Sequence, residues 1–147
     1  MKRHQALAHL SREHHGALLV ARLIQKNAPA YKDLPSTTEG KVDYALKFYK
    51  NELIKHFKDE EKVLDLVKGI TNELDLLIEI IFKEHDKLHL LFQALNKPCD
   101  YPEHLDQLGK MLENHVRKEE RELFPLIQES CGETLMKNIE MTLINPN

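Results

Sequence analysis

The sequence contains one histidine–glutamate pair twice. His56 is followed four residues later by Glu60 in 56-HFKDEE-61, and His115 is followed by Glu119 in 115-HVRKEE-120. Residues four apart lie on the same face of an α-helix, so each pair presents an imidazole and a carboxylate to one point. Because neutral imidazole and ionised carboxylate are metal ligands, the two pairs indicate a metal centre.

Further polar residues occupy equivalent places in other helical patterns. His85 and His89 form a third pair four residues apart, and His14 lies in the first helical pattern. Each of these residues continues a stripe of apolar residues spaced three and four apart, as on a helix face turned toward a core. The sequence predicts that these polar side chains face one interior: His14, His56, Glu60, His85, His89, His115 and Glu119.

Such a buried polar set needs partners, because an isolated ionised carboxylate in a core is costly. A hydrogen-bonded network of imidazoles and carboxylates is one solution, and bound cations are the other. The donors are too many for one tetrahedral zinc ion, and they lack the oxygen-rich character that calcium and magnesium prefer. The set therefore predicts two ions, with iron, manganese, copper and zinc as the candidate metals.

The remaining histidines do not continue the stripes. His15 points about 100° away from His14 around the helix, yet it is the alternative ligand in that place. Glu61 and Glu120 each follow a predicted ligand and are expected to face outward or to contact the ligands from outside. Solvated surface positions are expected for the others, which are His4, His9 and His104.

Four long helices are needed to position these side chains. The 147 residues include only 5 Gly and 6 Pro, which favours helices over a turn-rich β architecture. A proline ring clashes with the preceding helical turn, so Pro125 is expected to bend or end the fourth helix near Phe124. The first predicted helix covers about 3–27, and the second runs from a cap within 36–38 to Gly69. The third runs from Thr71 or Asn72 to Leu95, and the fourth from Pro102 to Gly132. A last short helix covers 133–144.

The predicted fold class is all-α. Long helices joined by short connections favour an antiparallel up-down-up-down four-helix bundle, with a short C-terminal helix covering one end. A chain of this length is sufficient for one domain, which we expect to span residues 1–147.

Composition excludes several other classes of protein. The net charge of −3 and the lack of a basic stripe argue against nucleic-acid binding. The longest apolar run, LLIEII, is broken by Glu79 and is too short for a membrane span. Charges and histidines interrupt the N-terminal residues, unlike a signal peptide, and the two cysteines are too few for a disulfide framework. We therefore expect a cytoplasmic protein.

The joint pattern resembles the hemerythrins and hemerythrin-like (HHE cation-binding) domains. His14, His56-x-x-x-Glu60, His85-x-x-x-His89 and His115-x-x-x-Glu119 carry the resemblance, which extends from about residue 7 to 128. The flanking words 12-REHH-15, 56-HFKDEE-61 and 115-HVRKEERELFP-125 are similar to those of the bacterial single-domain members. The resemblance implies a four-helix bundle with two non-haem iron ions that bind O₂ without haem.

The resemblance also implies a role for each ligand. His85, His89 and His115 would bind one iron, and His14 and His56 would bind the other. Glu60 and Glu119 would bridge both irons, together with a solvent-derived oxo or hydroxo group. The iron with two histidines would then keep an open position for O₂, nitric oxide or peroxide.

Two departures from the oxygen-carrying members limit the functional prediction. The carriers place an aspartate five residues after the last histidine, whereas Glu119 stands four after His115, as in the broader family. Glu120 occupies the fifth place and is an alternative bridge. The ligands of the second and third helices are also separated by more residues along the sequence than in the carriers.

The predicted function is the binding of O₂ or a related small ligand, for oxygen binding, storage or sensing. The alternative is a di-iron enzyme or stress factor, such as a peroxidase, a nitric-oxide scavenger or an iron-cluster repair protein. A third hypothesis is a metal-stabilised interaction module, in which zinc serves as well as iron. The sequence identifies no protein partner and leaves enzymatic activity undecided.

Overall fold

The computed structural model describes residues 2–144, which form five helices and no strand. This confirms the all-α bundle with a short C-terminal helix. None of the described helices is long and apolar enough to cross a membrane. The helices are α1 (Gln5–Leu23), α2 (Thr38–Phe48, a π-helical turn Tyr49–Leu53, and Ile54–Val67), α3 (Asn72–Ala94), α4 (Tyr101–Lys118, a π-helical turn Glu119–Leu123, and Phe124–Ser130) and α5 (Glu133–Ile144).

Local capping signals place the helix ends. The side chains of Thr37, Thr71 and Asp100 accept hydrogen bonds from backbone N–H groups in the first turns of α2, α3 and α4. Such caps satisfy donors that have no partner within the helix. Gly69 follows α2 with a φ of 85°, a left-handed conformation that glycine adopts without steric cost.

The apolar core consists of two clusters separated by a polar layer. One cluster joins α1, α2, α3 and α4 around Phe57, Phe92 and Leu112. The other joins the opposite ends of the same helices to α5, around Leu10, Phe124 and Ile139. Since the flanking clusters exclude water from both sides, polar groups in the intervening layer must find partners within the protein.

Both composite helices contain a π-helical turn close to the polar layer. One turn covers Tyr49–Leu53 on α2, and the other covers Glu119–Leu123 on α4. Pro125 lies in the first turn of the α-helical segment that follows, so the helix changes type at Phe124 and continues to Ser130. Such π-helical turns are frequent at functional sites because they alter the direction of nearby side chains.

We predict that Gly109→Ala destabilises the bundle by about 1–3 kcal/mol, the usual cost of overpacking a core. A Cβ atom at Gly109 would lie 2.5 Å from the backbone oxygen of Ala21, so α1 and α4 would have to separate. Urea denaturation measures the change. Gly16→Ala is the control within a helix, because its nearest contact is 3.4 Å from the Phe48 ring. Equal stability of the two variants would contradict this prediction.

Candidate metal centre

The polar layer contains one or two side chains from each long helix. Each of these side chains interrupts an apolar stripe at the level between the two clusters. All are buried, and His85 and Glu119 have no solvent exposure. The layer comprises His14 from α1, His56 and Glu60 from α2, His85 from α3, and His115 and Glu119 from α4.

These six residues form two groups that could each hold a metal ion. Within each group, one ligand atom per residue lies within 4.8 Å of all the others. The first group contains His14 and His56, and the second contains His85 and His115. Glu60 and Glu119 belong to both groups, so the candidate centre has two half-sites that share two carboxylates.

Each shared carboxylate directs one oxygen to each half-site. Glu60 Oε2 lies 3.2 Å from His14 Nε2 and 3.0 Å from His56 Nε2, whereas Glu60 Oε1 lies 3.1 Å from His85 Nε2. Glu119 Oε1 lies 3.0 Å from His14 Nε2, and Glu119 Oε2 lies 3.4 Å from His115 Nε2. This division of oxygen atoms is the geometry of a carboxylate that bridges two cations.

Four buried atoms at the centre make no well-directed hydrogen bond, although imidazole nitrogens and carboxylate oxygens approach within 3.0–3.4 Å there. They are Nε2 of His56, Nε2 of His115 and both carboxylate oxygens of Glu119. Native proteins rarely leave buried polar atoms unpaired, because each costs about 1–3 kcal/mol. Hydrogen bonds within the layer therefore leave these four atoms unsatisfied. Imidazole nitrogen and carboxylate oxygen are a fitting donor set for iron, manganese or zinc.

The outer nitrogen of each of these four histidines faces a further glutamate. The Nδ1 atoms lie 2.7–2.8 Å from a carboxylate oxygen in every case. An ionised carboxylate only accepts hydrogen bonds, so each Nδ1–H donates outward, and Nε2 is the nitrogen that can offer a lone pair to the centre once it has lost its proton. The pairs are His14 with Glu120, His56 with Glu13, His85 with Glu61, and His115 with Glu84.

The centre is built as an internal repeat. In each half, a glutamate immediately precedes one histidine, and another histidine is followed by glutamates at the fourth and fifth positions. The hydrogen bonds to Nδ1 follow the same correspondence, so the two half-sites have equivalent surroundings. The matching segments are 13-EH-14 with 84-EH-85, and 56-HFKDEE-61 with 115-HVRKEE-120.

The carboxylates strongly perturb the protonation of the layer. Burial opposes the charged imidazolium, but Glu60 and Glu13 outweigh it and raise the pKa of His56 to about 9. The pKa of His85 rises to about 11, since Glu119, Glu60 and Glu61 likewise outweigh its burial. Burial and the neighbouring Glu60 raise the pKa of Glu119, but His115 and His14 lower it to about 2. At neutral pH these imidazoles therefore carry protons that a cation would have to displace.

We predict that affinity for a divalent cation increases with pH through neutrality and beyond pH 9, because His56 keeps its proton to about pH 9 and His85 to about pH 11. Protons compete with the cation below the raised pKa values, so affinity falls as pH falls. An unperturbed histidine, with a pKa of about 6.5, would instead give a constant affinity above about pH 7.5. Calorimetric titration in two buffers of different ionisation enthalpy measures the protons released. His15→Ala, at an exposed position, is the control.

The structure places the other candidates outside both groups. His15 is exposed, and Glu120 binds Nδ1 of His14 rather than pointing to the centre. His89 is also outside the groups, and its Nδ1 lies 2.6 Å from the hydroxyl oxygen of Tyr49. His104 bonds the backbone oxygen of Leu91 at 2.8 Å. Metal binding by His89 thus remains a prediction from the sequence.

Sequence reasoning missed two of the outer glutamates, Glu13 and Glu84. Both directly precede a histidine of the centre, and that repeated Glu-His dipeptide was the available signal. Their contacts are made to histidines on neighbouring helices, His56 and His115. Periodicity along one helix does not reveal such contacts.

Comparison with known proteins identifies the family. The family model described as the hemerythrin HHE cation-binding domain matches residues 5–127. The chain therefore belongs to this family. Searches of curated proteins and of solved structures found no match.

Proposed function

We propose that this protein binds two iron ions between its four long helices and uses them to bind O₂ or a related small ligand, for oxygen storage or sensing. The unsatisfied buried atoms of His56, His115 and Glu119 carry the proposal, because they belong to the two groups of ligand atoms that could each hold a cation, in a chain of the cation-binding family. When bound, iron would supply the redox chemistry and the affinity for a small ligand.

The protein's own residues hold and orient the metal in this proposal. Each half-site contributes two imidazole nitrogens and two carboxylate oxygens. The outer glutamates hold the Nδ1 protons and fix the orientation of the rings, which raises their basicity as ligands. The Glu120 carboxylate in turn accepts hydrogen bonds from the side chains of Arg3 and Ser11, which fix its position.

Aromatic side chains cover the histidines and restrict water. The ring of Phe124 stacks on His14 with centroids 5.5 Å apart, and Phe57 stacks on His85 at 4.1 Å. Both phenylalanines are almost fully buried. An apolar surrounding controls solvent access and redox potential at a metal site, and it favours a small uncharged ligand such as O₂.

A surface cleft lies beside the first half-site. Its volume is about 320 Å³, and its lining includes Gly16, Phe48, Leu53 and His56. The cleft ends against the outer edge of His56, where Glu13 binds Nδ1. This position supports the approach of a diatomic ligand from solvent to the His14 and His56 side.

Visible absorption of the iron-loaded protein tests the proposal. The protein is reduced without oxygen, exposed to air and then degassed. We expect a charge-transfer band that appears in air and disappears on degassing. A band that persists would favour the alternative of a di-iron enzyme or stress factor, and no change on exposure to air would contradict oxygen chemistry altogether. Zinc-loaded protein is the control, since zinc has no redox chemistry.

We also propose a cytoplasmic location. Cys99 and Cys131 are free thiols, as is usual where glutathione and thioredoxin keep cysteines reduced. Cell fractionation of the producing organism tests this location, and recovery from an oxidising compartment would contradict it.

A further inference from the structure

The backbone carbonyl of Glu120 lacks a donor within its own helix. In an α-helix it would accept from the N–H of residue 124, and in a π-helical turn from the N–H of residue 125. The Phe124 N–H donates instead to the backbone oxygen of Glu119. Residue 125 is a proline, which has no N–H. The π-helical turn and Pro125 therefore leave this carbonyl to a partner from outside α4.

Arg3 supplies that partner. Its Nη2 atom donates to the Glu120 backbone oxygen at 2.8 Å and to the carboxylate oxygen Oε1 of the same residue at 3.0 Å. Arg3 Nε donates to Ser11 Oγ at 3.1 Å, and that hydroxyl donates to Glu120 Oε2 at 2.7 Å. Arg3 Nη1 donates to Gln128 Oε1 at 3.3 Å. Every nitrogen of the guanidinium is thus engaged, and the contacts converge on Glu120.

The residue that Arg3 holds is the one that orients His14. Glu120 Oε2 lies 2.7 Å from His14 Nδ1. Arg3 also lies over the Phe124 ring, 5.3 Å from its centroid, and that ring stacks on the His14 imidazole. Arg3 therefore contacts two of the side chains that hold the His14 ring in place.

The other half-site has no counterpart of this arrangement. Glu61 takes the place of Glu120 there, and His85 is its one hydrogen-bond or ion-pair partner among the described residues. The matching turn of α2 is regular α-helix, and Leu66 stands where the repeat has Pro125 in α4. The contact of the arginine thus distinguishes two half-sites that are otherwise built alike.

The family match does not extend to the residues at the ends of this contact. It covers residues 5–127, whereas Arg3 precedes it and Gln128 follows it. Membership of the family therefore does not by itself predict a role for Arg3.

We propose that Arg3 is a positioning residue for the half-site of His14 and His56, because it satisfies the open carbonyl of Glu120 and holds its carboxylate on His14. Loss of the guanidinium releases Glu120 and the His14 ring, so the ion of this half-site binds more weakly and the other ion is unaffected. A lysine keeps the charge but lacks the planar fork that reaches Ser11 and both groups of Glu120. The inference rests on the proposed metal centre and not on O₂ as its ligand.

Calorimetric titration with zinc measures the affinity for both ions. In Arg3→Met we expect one ion to bind about 10-fold more weakly, at the low end of the range for outer partners of ligands, and the other to bind as in wild type. Arg3→Lys should lie between Arg3→Met and wild type. Lys2→Met is the matched control, because it removes a cation from the adjacent, exposed residue, and it should bind both ions as wild type does.

Hydrogen exchange at the histidine side chains shows which half-site is affected. NMR of zinc-loaded protein follows the Nδ1–H groups of His14 and His85. Their signals are distinguished by proximity to different rings, Phe124 for His14 and Phe57 for His85. We expect faster exchange at His14 in Arg3→Met, since its acceptor is released, and unchanged exchange at His85. A general loss of stability would accelerate both.

Several outcomes would overturn the inference. Equal acceleration at both histidines would reduce Arg3 to a general contribution to stability. Two unchanged zinc affinities in Arg3→Met, with circular dichroism showing an intact helical fold, would remove its role at the half-site. If Arg3→Met does not fold, wild-type affinities in Arg3→Lys would show that the guanidinium is not needed. Wild-type protein that binds no zinc would contradict the metal centre itself, a result distinct from the others.

Discussion

Glu119→Gln should reduce the affinity for divalent metal by more than about 100-fold, since even the outer hydrogen-bond partners of ligands are worth about 10- to 100-fold. Glu119 gives one oxygen to each half-site and is fully buried. The amide of the substituted glutamine lacks the negative charge that both cations would share. It would also point an N–H group at one of them. Both ions should therefore be lost together. Elemental analysis after dialysis, with cobalt titration, measures the effect.

Glu122→Gln is the matched control for this substitution. Glu122 lies in the same π-helical turn, Glu119–Leu123, and it is exposed. We expect full metal content in the control variant. Equal metal content in Glu119→Gln and wild type would contradict a bridging role for Glu119. A loss of one ion alone would restrict Glu119 to one half-site.

Metal removal should lower the melting temperature by at least about 10 °C. A ligand present at about 1,000 times its Kd stabilises the folded state by about 4 kcal/mol per site, and 1 kcal/mol shifts the melting temperature by about 2–4 °C for a chain of this size. Without a cation, Glu60 and Glu119 repel each other in a buried layer, and the unpartnered atoms remain. Thermal unfolding of chelator-treated and reloaded protein measures the shift.

His56→Ala should abolish most of this metal-dependent shift, because its Nε2 is one of the unpartnered atoms. His9→Ala should retain the shift, since His9 is exposed and belongs to neither group of ligand atoms. A melting temperature that does not depend on metal in wild type would mean that the layer is stable without cations, as a hydrogen-bonded network would be.

Helix phase is the part of the architecture that the sequence predicts well. Apolar spacing determines which face of each helix is buried, and the polar residues on that face share one direction. Residues as distant in sequence as His14 and Glu119 can therefore be assigned to one interior from the sequence alone. The caps at Thr37 and Thr71 were also predictable, because their side chains act on the next turn of their own helix.

Position along the helix axis is harder to predict than direction. Four residues advance a helix by about 6 Å, so His89 lies just over one turn beyond His85. There it meets Tyr49 and Phe57 rather than the shared carboxylates. Contacts between helices, such as that of Glu84 with His115, depend on packing that one stripe does not encode. The π-helical turns had no signal in the apolar spacing.

The most direct test of the central claim is the number of ions that the protein binds. Metal-free protein is titrated with iron(II) under anaerobic conditions, and bound iron is counted after dialysis. The two half-sites formed by His14, His56, His85 and His115 with the shared carboxylates predict two ions per chain. Binding of none or of one ion per chain by folded protein would contradict the shared centre.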